Sequence, residues 1–225
     1  MLFDSSIGDF ESEKERNLYY KIFAGYLFNE LIPGYSDRLA EFCHMLDHPT
    51  SRGMAAPSQQ VILNPDSTHV SFDNHLYLFE ELKADRGEFA DVFLHDSSNR
   101  TMVFIEAKLH SNWAYEKDIV ANQRRHMQLK SLMPAVVIVP VLLVTRSRWE
   151  HAKAKESSDH SNYLQFHEDP DCAFRVLLWE RIADVIREEK VRTFLESQLC
   201  RRDRGFSYVG AKDWFVQQPP KKTSA

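Results

Sequence analysis

Three charged side chains interrupt apolar runs of the sequence and are the residues best suited to do chemistry. Asp91 lies in the run EFADVFL, and Glu106 and Lys108 lie in the run TMVFIEAKL. A charge among apolar residues is costly unless it is paired or binds a metal ion. Because side chains alternate along a β-strand, Glu106 and Lys108 are expected to share one face. Their charges therefore need either ion pairing or a metal.

The two runs predict a β-hairpin that brings these charges together. A turn centred on Ser98–Asn99 would place Asp91 opposite Glu106 and Phe93 opposite Phe104. Directly opposed residues have Cβ atoms roughly 4.5–5.5 Å apart. Two carboxylates at that distance repel each other unless a cation lies between them. A divalent metal held by oxygen ligands is the simplest resolution.

Such a site is suited to the hydrolysis of a phosphodiester. That reaction needs a nucleophilic water, charge compensation at phosphorus and a stabilised leaving oxygen, and Mg²⁺ held by carboxylates can supply all three. Asp91 and Glu106 are the predicted metal ligands, with the backbone carbonyl of Ala107 as a further ligand. Lys108 is predicted to orient or deprotonate the attacking water, or to stabilise the developing negative charge.

A helix is predicted to follow the hairpin, over residues 115–132, and to carry further site residues. Its predicted apolar side holds Ile119, Val120, Met127 and Leu132. Gln123 shares that side because it lies four residues from both Ile119 and Met127. A long uncharged polar side chain there needs hydrogen-bond partners, so Gln123 is predicted to orient Lys108 or the water. The basic residues predicted to meet phosphates are Arg124, Arg125 and Lys130.

The order and spacing of these residues resemble the motif of the PD-(D/E)XK nuclease superfamily. The resemblance rests on Asp91, on Glu106-Ala107-Lys108 in the next strand, and on Gln123 in the following helix. It spans residues 11–195, although only four or five positions carry it. It implies a restriction-endonuclease-like core, Mg²⁺ or Mn²⁺ as the cofactor, and DNA as the substrate. Ala90 stands where the family normally has a proline.

Members of this superfamily commonly carry an additional acid on an N-terminal helix. By order along the chain, Glu30 is the best match for that acid, with Glu41 and Glu81 as rivals. The resemblance does not indicate a particular restriction, repair or recombination enzyme. The target sequence, and whether cleavage is internal or from ends, stay open.

The predicted elements run as helices, an antiparallel β cluster, a helix, two strands and helices. That order predicts an α/β fold with a mixed central β-sheet flanked by helices and an N-terminal helical pair. Residues 1–200 are expected to form one domain, with the N-terminal helices in 11–47 and the core in 61–195. Residues 201–225 are expected to be a C-terminal extension, partly disordered.

The strands are predicted from short apolar runs. Residues 61–64, 69–72 and 75–82 are β-like pieces, and 174–179 is a later strand. The uncharged run 135–144 predicts a strand buried on both faces. Pro140 within it predicts a bulge or an edge position, since proline cannot donate to a ladder.

Composition narrows the class of protein. The formal net charge of -5 gives no overall basic signature for nucleic acid, so DNA would be met by a local patch or through metal ions. Three widely spaced cysteines give neither a disulfide framework nor a zinc pattern. With no predicted signal peptide or membrane span, a cytoplasmic location without membrane partners is expected. A homodimer or a partner protein is an open expectation.

Two other interpretations compete with the metal-dependent nuclease. The charges could form a structural salt-bridge cluster, although the face they share is otherwise mostly apolar. Alternatively, the chain is a catalytically inactive nuclease-fold protein that acts as a nucleic-acid-binding or assembly module. A third detail, the pair His44 and His48, has the spacing of metal ligands but no further ligands nearby, which favours a surface pair.

Overall fold

The fold is α/β, built on a six-stranded mixed sheet with helices on both faces, as predicted. A computed structural model describes residues 19–72, 90–109, 119–150 and 172–203. The strands are β1 (Ser51–Arg52), β2 (Thr68–Phe72), β3 (Val92–Asp96), β4 (Thr101–Lys108), β5 (Val137–Val144) and β6 (Arg175–Leu178). They lie side by side in the order β1-β6-β5-β4-β3-β2. Pairing is parallel for β4–β5 and β5–β6 and antiparallel elsewhere.

Helices precede and connect these strands. They are α1 (Tyr20–Leu27, a π-helix), α2 (Tyr35–Asp47), α3 (Ala121–Leu132), α4 (starting at residue 146), α5 (Trp179–Val185) and α6 (Glu189–Asp203). The predicted N-terminal pair corresponds to α1 and α2. Among the described helices, none is both long and apolar enough to cross a membrane.

The β3–β4 hairpin has the predicted register, with Phe93 paired to Phe104 and Val92 to Ile105. Asp96 fixes its turn, since this buried carboxylate accepts hydrogen bonds from the backbone and side chains of Ser98 and Asn99. Burial alone would raise the pKa of Asp96, but these bonds and others from residues 64–67 outweigh it and hold the pKa well below its usual range. The turn therefore holds the two strands that carry the predicted site in one register.

The crossover from β4 through α3 to β5 makes the centre of the sheet parallel. The run predicted as a doubly buried strand is β5, and its position between β4 and β6 confirms that burial. The edge position expected from Pro140 is wrong, because Pro140 lies inside this central strand and pairs with Phe104. The strand tolerates proline there because β6 pairs with β5 only from Val141 onward.

One face of the sheet is covered by the large core. Alternate residues of β3, β4 and β5, among them Leu94, Ile105 and Val141, pack against α1, α2, α5 and α6. Helix α1 faces this core, since Ile22, Phe23 and their neighbours are buried. Burial of this continuous apolar surface is the main stabilising contribution to the fold.

The opposite face carries two smaller apolar clusters and α3. The first contains Phe93, Met102, Phe104 and Leu129, and the second contains Leu142, Val144, Phe174 and Val176. Burial of Ile119 and Gln123 agrees with the predicted apolar side of α3. The same prediction is wrong for Met127 and Leu132, which are exposed. Helix α3 instead buries Asn122, Gln123, His126 and Leu129, so a mostly polar stripe faces the sheet.

Some predicted elements differ or cannot be compared. Residues 61–64, predicted as β-like, form no strand, and the short strand β1 was not predicted. Gly53 and Ala55 extend this edge beyond β1, through backbone bonds to Phe174 and Cys172. The predicted strand 75–82 and residues 204–225 lie outside the described residues.

Candidate active site

The regular pairing of β3 with β4 begins at Val92, which pairs with Ile105. Asp91, the preceding residue, therefore lies just outside the ladder. Asp91 donates its backbone N–H to the carbonyl of Ile105 at 3.0 Å, and no strand pairing joins it to Glu106. Its carboxylate instead reaches one residue further, where Oδ2 accepts the backbone N–H of Ala107 at 2.7 Å. Asp91 is thus held against the short stretch that contains Glu106 and Lys108, although not by the direct pairing expected.

Glu106 and Lys108 form an ion pair on the α3 face of the sheet. Lys108 Nζ lies 2.6 Å from Glu106 Oε1, and the side chains of Lys108 and Glu106 are 15% and 13% exposed. Both strand positions pair with Leu142 and Val144 of β5. The pair therefore lies between the two apolar clusters, where a charge interaction is screened less than on an open surface. Residual exposure leaves both groups accessible from solvent.

Asn122 is a site residue that sequence reasoning missed. Its Nδ2 donates to Glu106 Oε2 at 3.4 Å, and its Oδ1 accepts from Arg125 Nη1 at 3.0 Å. Asn122 is 4% exposed. Its spacing of three residues from the buried Ile119 is a helical signal that could have placed it inward, beside Gln123. Glu106 is thus held from two sides, by Lys108 and by Asn122.

Gln123 is buried as predicted, and no hydrogen bond joins its Nε2 to Lys108. Its Nε2 has no hydrogen-bond partner among the described residues, and the residue is 6% exposed. A buried amide donor without a partner is uncommon in a native fold. Such a donor is suited to an acceptor supplied by a water or a bound ligand.

Tyr19 also contacts the site, from the opposite face of the sheet. Its hydroxyl donates to the carbonyl oxygen of Ala107 at 2.5 Å. Its ring stacks on Trp179 with centroids 5.7 Å apart, and Tyr19 is 4% exposed. No local pattern marks this role, because the two residues are 88 positions apart in the chain.

His126 lies one turn beyond Asn122 and fills the space between the two clusters. Its ring is 5.0 Å from that of Phe104 and 5.6 Å from that of Phe174, measured between centroids. Burial, and secondarily the charge of Arg125, lower the pKa of His126 to about 3. At neutral pH this residue is therefore an uncharged packing group behind the site.

The remaining predicted site residues are exposed, engaged in other contacts or outside the described residues. Glu30 is exposed and follows the end of α1, whereas Tyr19 at the start of that helix contacts Ala107. Glu41 forms an ion pair with Arg187. Lys130 donates to two backbone carbonyls beyond the end of α3, and Arg124 is exposed. Glu81 lies outside the described residues.

The donor set is suited to a hard divalent cation. Asp91 and Glu106 offer two carboxylates, and the carbonyl of Ala107 has a second lone pair beside the one that Tyr19 uses. Mg²⁺ commonly keeps several waters and binds through one or two carboxylates together with substrate phosphates. Within the described ranges, no group of three or more His, Cys, Asp or Glu side chains is arranged to hold a metal.

Comparison with known proteins gave no relative on which to base a function. No protein-family model, curated protein or solved structure matches the chain. A function for this protein is therefore inferred from the site itself.

Proposed function

We propose that the protein is a Mg²⁺-dependent nuclease that hydrolyses phosphodiester bonds of DNA. The observation that carries this proposal is the arrangement of three charged residues about Ala107. Asp91 binds the backbone N–H of Ala107, and Glu106 and Lys108, the residues on either side of Ala107, form an ion pair. The helix that covers this face of the sheet adds the buried amide of Gln123, whose Nε2 has no acceptor among the described residues. This combination supports the roles implied by the resemblance to the PD-(D/E)XK superfamily.

Each residue has a role that follows from its chemistry. Asp91 and Glu106 would hold the metal, with Ala107 contributing its carbonyl oxygen. The metal supplies Lewis-acid stabilisation of the phosphate and a more acidic bound water. Lys108 has only donors, so its ammonium group can stabilise negative charge at the phosphate or hydrogen-bond the attacking water. Gln123 Nε2 is a donor that a water or phosphate oxygen can satisfy.

The ion pair also suggests how the site changes on binding a metal. In the structure, Lys108 occupies Oε1 of Glu106 and Asn122 contacts Oε2. If Glu106 held a metal, its carboxylate would be shared between the metal and Lys108, or its contact with Lys108 would be lost, since both cations are attracted to the same carboxylate. The released ammonium group would then be available to the substrate. Arg124 and Arg125 on the adjoining helix are predicted phosphate contacts, although Arg125 also bonds Asn122.

The competing proposal is a nuclease fold that binds nucleic acid or assembles with a partner without cutting. It predicts retention of DNA with no hydrolysis. A purely structural ion pair predicts neither DNA binding nor DNA cleavage. These outcomes separate when one preparation is tested for both cleavage and binding.

The test is incubation with supercoiled plasmid, linear duplex and single-stranded RNA, with Mg²⁺, Mn²⁺ or EDTA. We expect Mg²⁺-dependent DNA cleavage that falls about 100-fold or more in Glu106→Gln and Lys108→Ala, because each removes a group acting on the transition state. Glu196→Gln is the matched control, since Glu196 forms an exposed ion pair with Arg192 within α6. Equal cleavage by all four proteins would contradict the proposed site, and DNA binding without cleavage would favour the competing proposal.

A further inference from the structure

We propose that Tyr19 is a positioning residue of the candidate active site and that its hydroxyl raises the affinity for the metal. This inference rests on the proposed function, because it assigns a role at the same site. Tyr19 precedes α1 and lies on the face of the sheet opposite to Glu106 and Lys108. Its effect must therefore pass through the backbone of β4.

On the β3 side, the backbone around Ala107 lacks the strand pairing that the earlier residues of β4 receive. Within an antiparallel ladder, the N–H and C=O groups of one residue point to the same neighbouring strand. Ala107 directs its N–H toward Asp91, on the β3 side of the strand. The ladder on that side ends at the pair Val92–Ile105. Backbone groups of β3 therefore do not pair with Ala107.

Two side chains replace the missing strand. Asp91 Oδ2 accepts the N–H of Ala107 at 2.7 Å, which fixes the peptide group between Glu106 and Ala107. The Tyr19 hydroxyl donates to the carbonyl of Ala107 at 2.5 Å, which fixes the peptide group between Ala107 and Lys108. Together these contacts set the directions in which the Glu106 and Lys108 side chains leave the strand.

The position of the Tyr19 hydroxyl is itself well fixed. Its ring stacks on Trp179 at an interplanar angle of 19°, and Trp179 is fully buried. Phe23, one turn further along α1, packs on the same tryptophan with centroids 5.7 Å apart. A donor held by packed aromatic rings loses little conformational entropy on orienting its acceptor, which is the condition for precise support of a metal ligand.

The chain offers a matched control on the same helix. Tyr26 is also buried, at 5% exposure, and its hydroxyl oxygen accepts the backbone N–H of Arg187 at 2.9 Å. Tyr19→Phe and Tyr26→Phe thus each remove one buried, hydrogen-bonded hydroxyl and keep the ring. Of these two tyrosines, Tyr19 is the one that contacts the candidate site, so a general loss of stability and a loss of site geometry can be told apart.

The experiment is calorimetric titration of the full chain with Mn²⁺, together with its melting temperature and single-turnover DNA cleavage. We expect Tyr19→Phe to weaken Mn²⁺ binding about 10-fold, the usual effect of removing support from a metal ligand, and to slow cleavage without changing KM for DNA. Tyr26→Phe should leave the Mn²⁺ affinity within about twofold. Both variants should lower the melting temperature by similar amounts.

Four results would overturn this role. An unchanged Mn²⁺ affinity in Tyr19→Phe would make the tyrosine purely structural, and a tighter affinity would show that the hydroxyl competes with the metal. Equal weakening in Tyr26→Phe would trace the effect to α1 as a whole. If the wild-type protein binds no Mn²⁺, the metal site fails and this role fails with it, which separates failure of the proposed function from failure of Tyr19 alone.

Discussion

At the scale of single residues, the position of the Glu106 carboxylate is fixed by contacts to both of its oxygens. Lys108 holds one oxygen and Asn122 the other, while Arg125 orients the Asn122 amide by donating to its oxygen. Because Oδ1 accepts from a guanidinium, the amide nitrogen of Asn122 is the group left to face Glu106. Asn122 therefore acts on the proposed metal ligand, whereas the amide donor of Gln123 meets no acceptor within the described ranges and is suited to substrate or water.

This difference predicts distinct effects of two neighbouring substitutions. Asn122→Ala should weaken Mn²⁺ binding and slow cleavage, each by about 10-fold, since it removes a contact that orients a ligand. Gln123→Ala should slow cleavage and leave Mn²⁺ affinity unchanged. Titration calorimetry and single-turnover cleavage measure the two effects separately. Equal Mn²⁺ affinities in wild type and Asn122→Ala would contradict the proposed role of Asn122.

His126 predicts a pH dependence of stability that is independent of catalysis. Its pKa in the folded protein is lowered to about 3 by burial and by Arg125, from an ordinary value of 6.5. The unfolded chain therefore binds more protons between these values, so the contribution of His126 to the free energy of unfolding is complete above about pH 6.5 and falls as the pH drops toward 3. The slope from this group is at most about 1.4 kcal/mol per pH unit.

The measurement is chemical denaturation of wild type and His126→Leu at several pH values from 7 to 5. The stability advantage of wild type over the variant should shrink as the pH falls, because only wild type loses stability through this histidine. His44→Gln is the control, since His44 is exposed at the end of α2. An advantage that grows toward pH 5 would show that His126 gains a proton on folding, which would contradict a pKa lowered by burial.

At the scale of elements, the close approach of the β1 edge to the segment preceding β6 requires a glycine at position 53. Gly53 donates its N–H to Phe174, and a Cβ atom at this position would lie 2.3 Å from the carbonyl oxygen of Cys172. A Cβ atom and a carbonyl oxygen cannot lie that close, so the backbone around one of them would have to move. Gly34 differs, since its φ of +81° is left-handed but its nearest neighbour would be 3.8 Å from an added Cβ.

Gly53→Ala should therefore lower the free energy of unfolding by about 1–3 kcal/mol, the usual cost of overpacking. Gly34→Ala should cost about 1–2 kcal/mol through backbone strain alone. Denaturation gives both values, and amide exchange distinguishes their causes. Faster exchange in β6 is expected only for Gly53→Ala. Unchanged protection of β6 in that variant would mean that the edge accommodates a methyl group without moving.

Element types are predictable where the local pattern is strong. The β3–β4 hairpin follows from alternating apolar runs around a turn, and its register is confirmed at Phe93–Phe104. Helix α2, observed at Tyr35–Asp47, lies within the range 11–47 that is predicted for the N-terminal helices. Which face of α3 is buried is harder to predict, because tertiary contacts bury Asn122 and His126 while Met127 is exposed. Local hydrophobicity cannot encode which polar side chains find partners across the sheet.

At the scale of the whole molecule, the features that the sequence did not predict depend on contacts between residues far apart in the chain. The mixed sheet follows from the order of elements, but Pro140 is expected at a bulge or an edge and lies in regular pairing within the central strand β5. The contacts of the buried Arg175 in β6 are likewise not predictable from spacing. This side chain donates to backbone carbonyls more than a hundred residues away, those of Leu46, Pro57 and Gln59. The contact of Tyr19 with Ala107 is of this kind, and spacing does not reveal it.

The central claim is that Asp91 and Glu106 together bind one divalent cation, and titration of the metal-free protein with Mn²⁺ tests it most directly. Wild type should show saturable binding that weakens at least about 10-fold in Asp91→Asn and in Glu106→Gln, because each variant removes a ligand charge. Glu196→Gln should bind as wild type does. Absence of Mn²⁺ binding by wild type, or equal affinity in all four proteins, would contradict the claim and leave the constellation a structural ion pair.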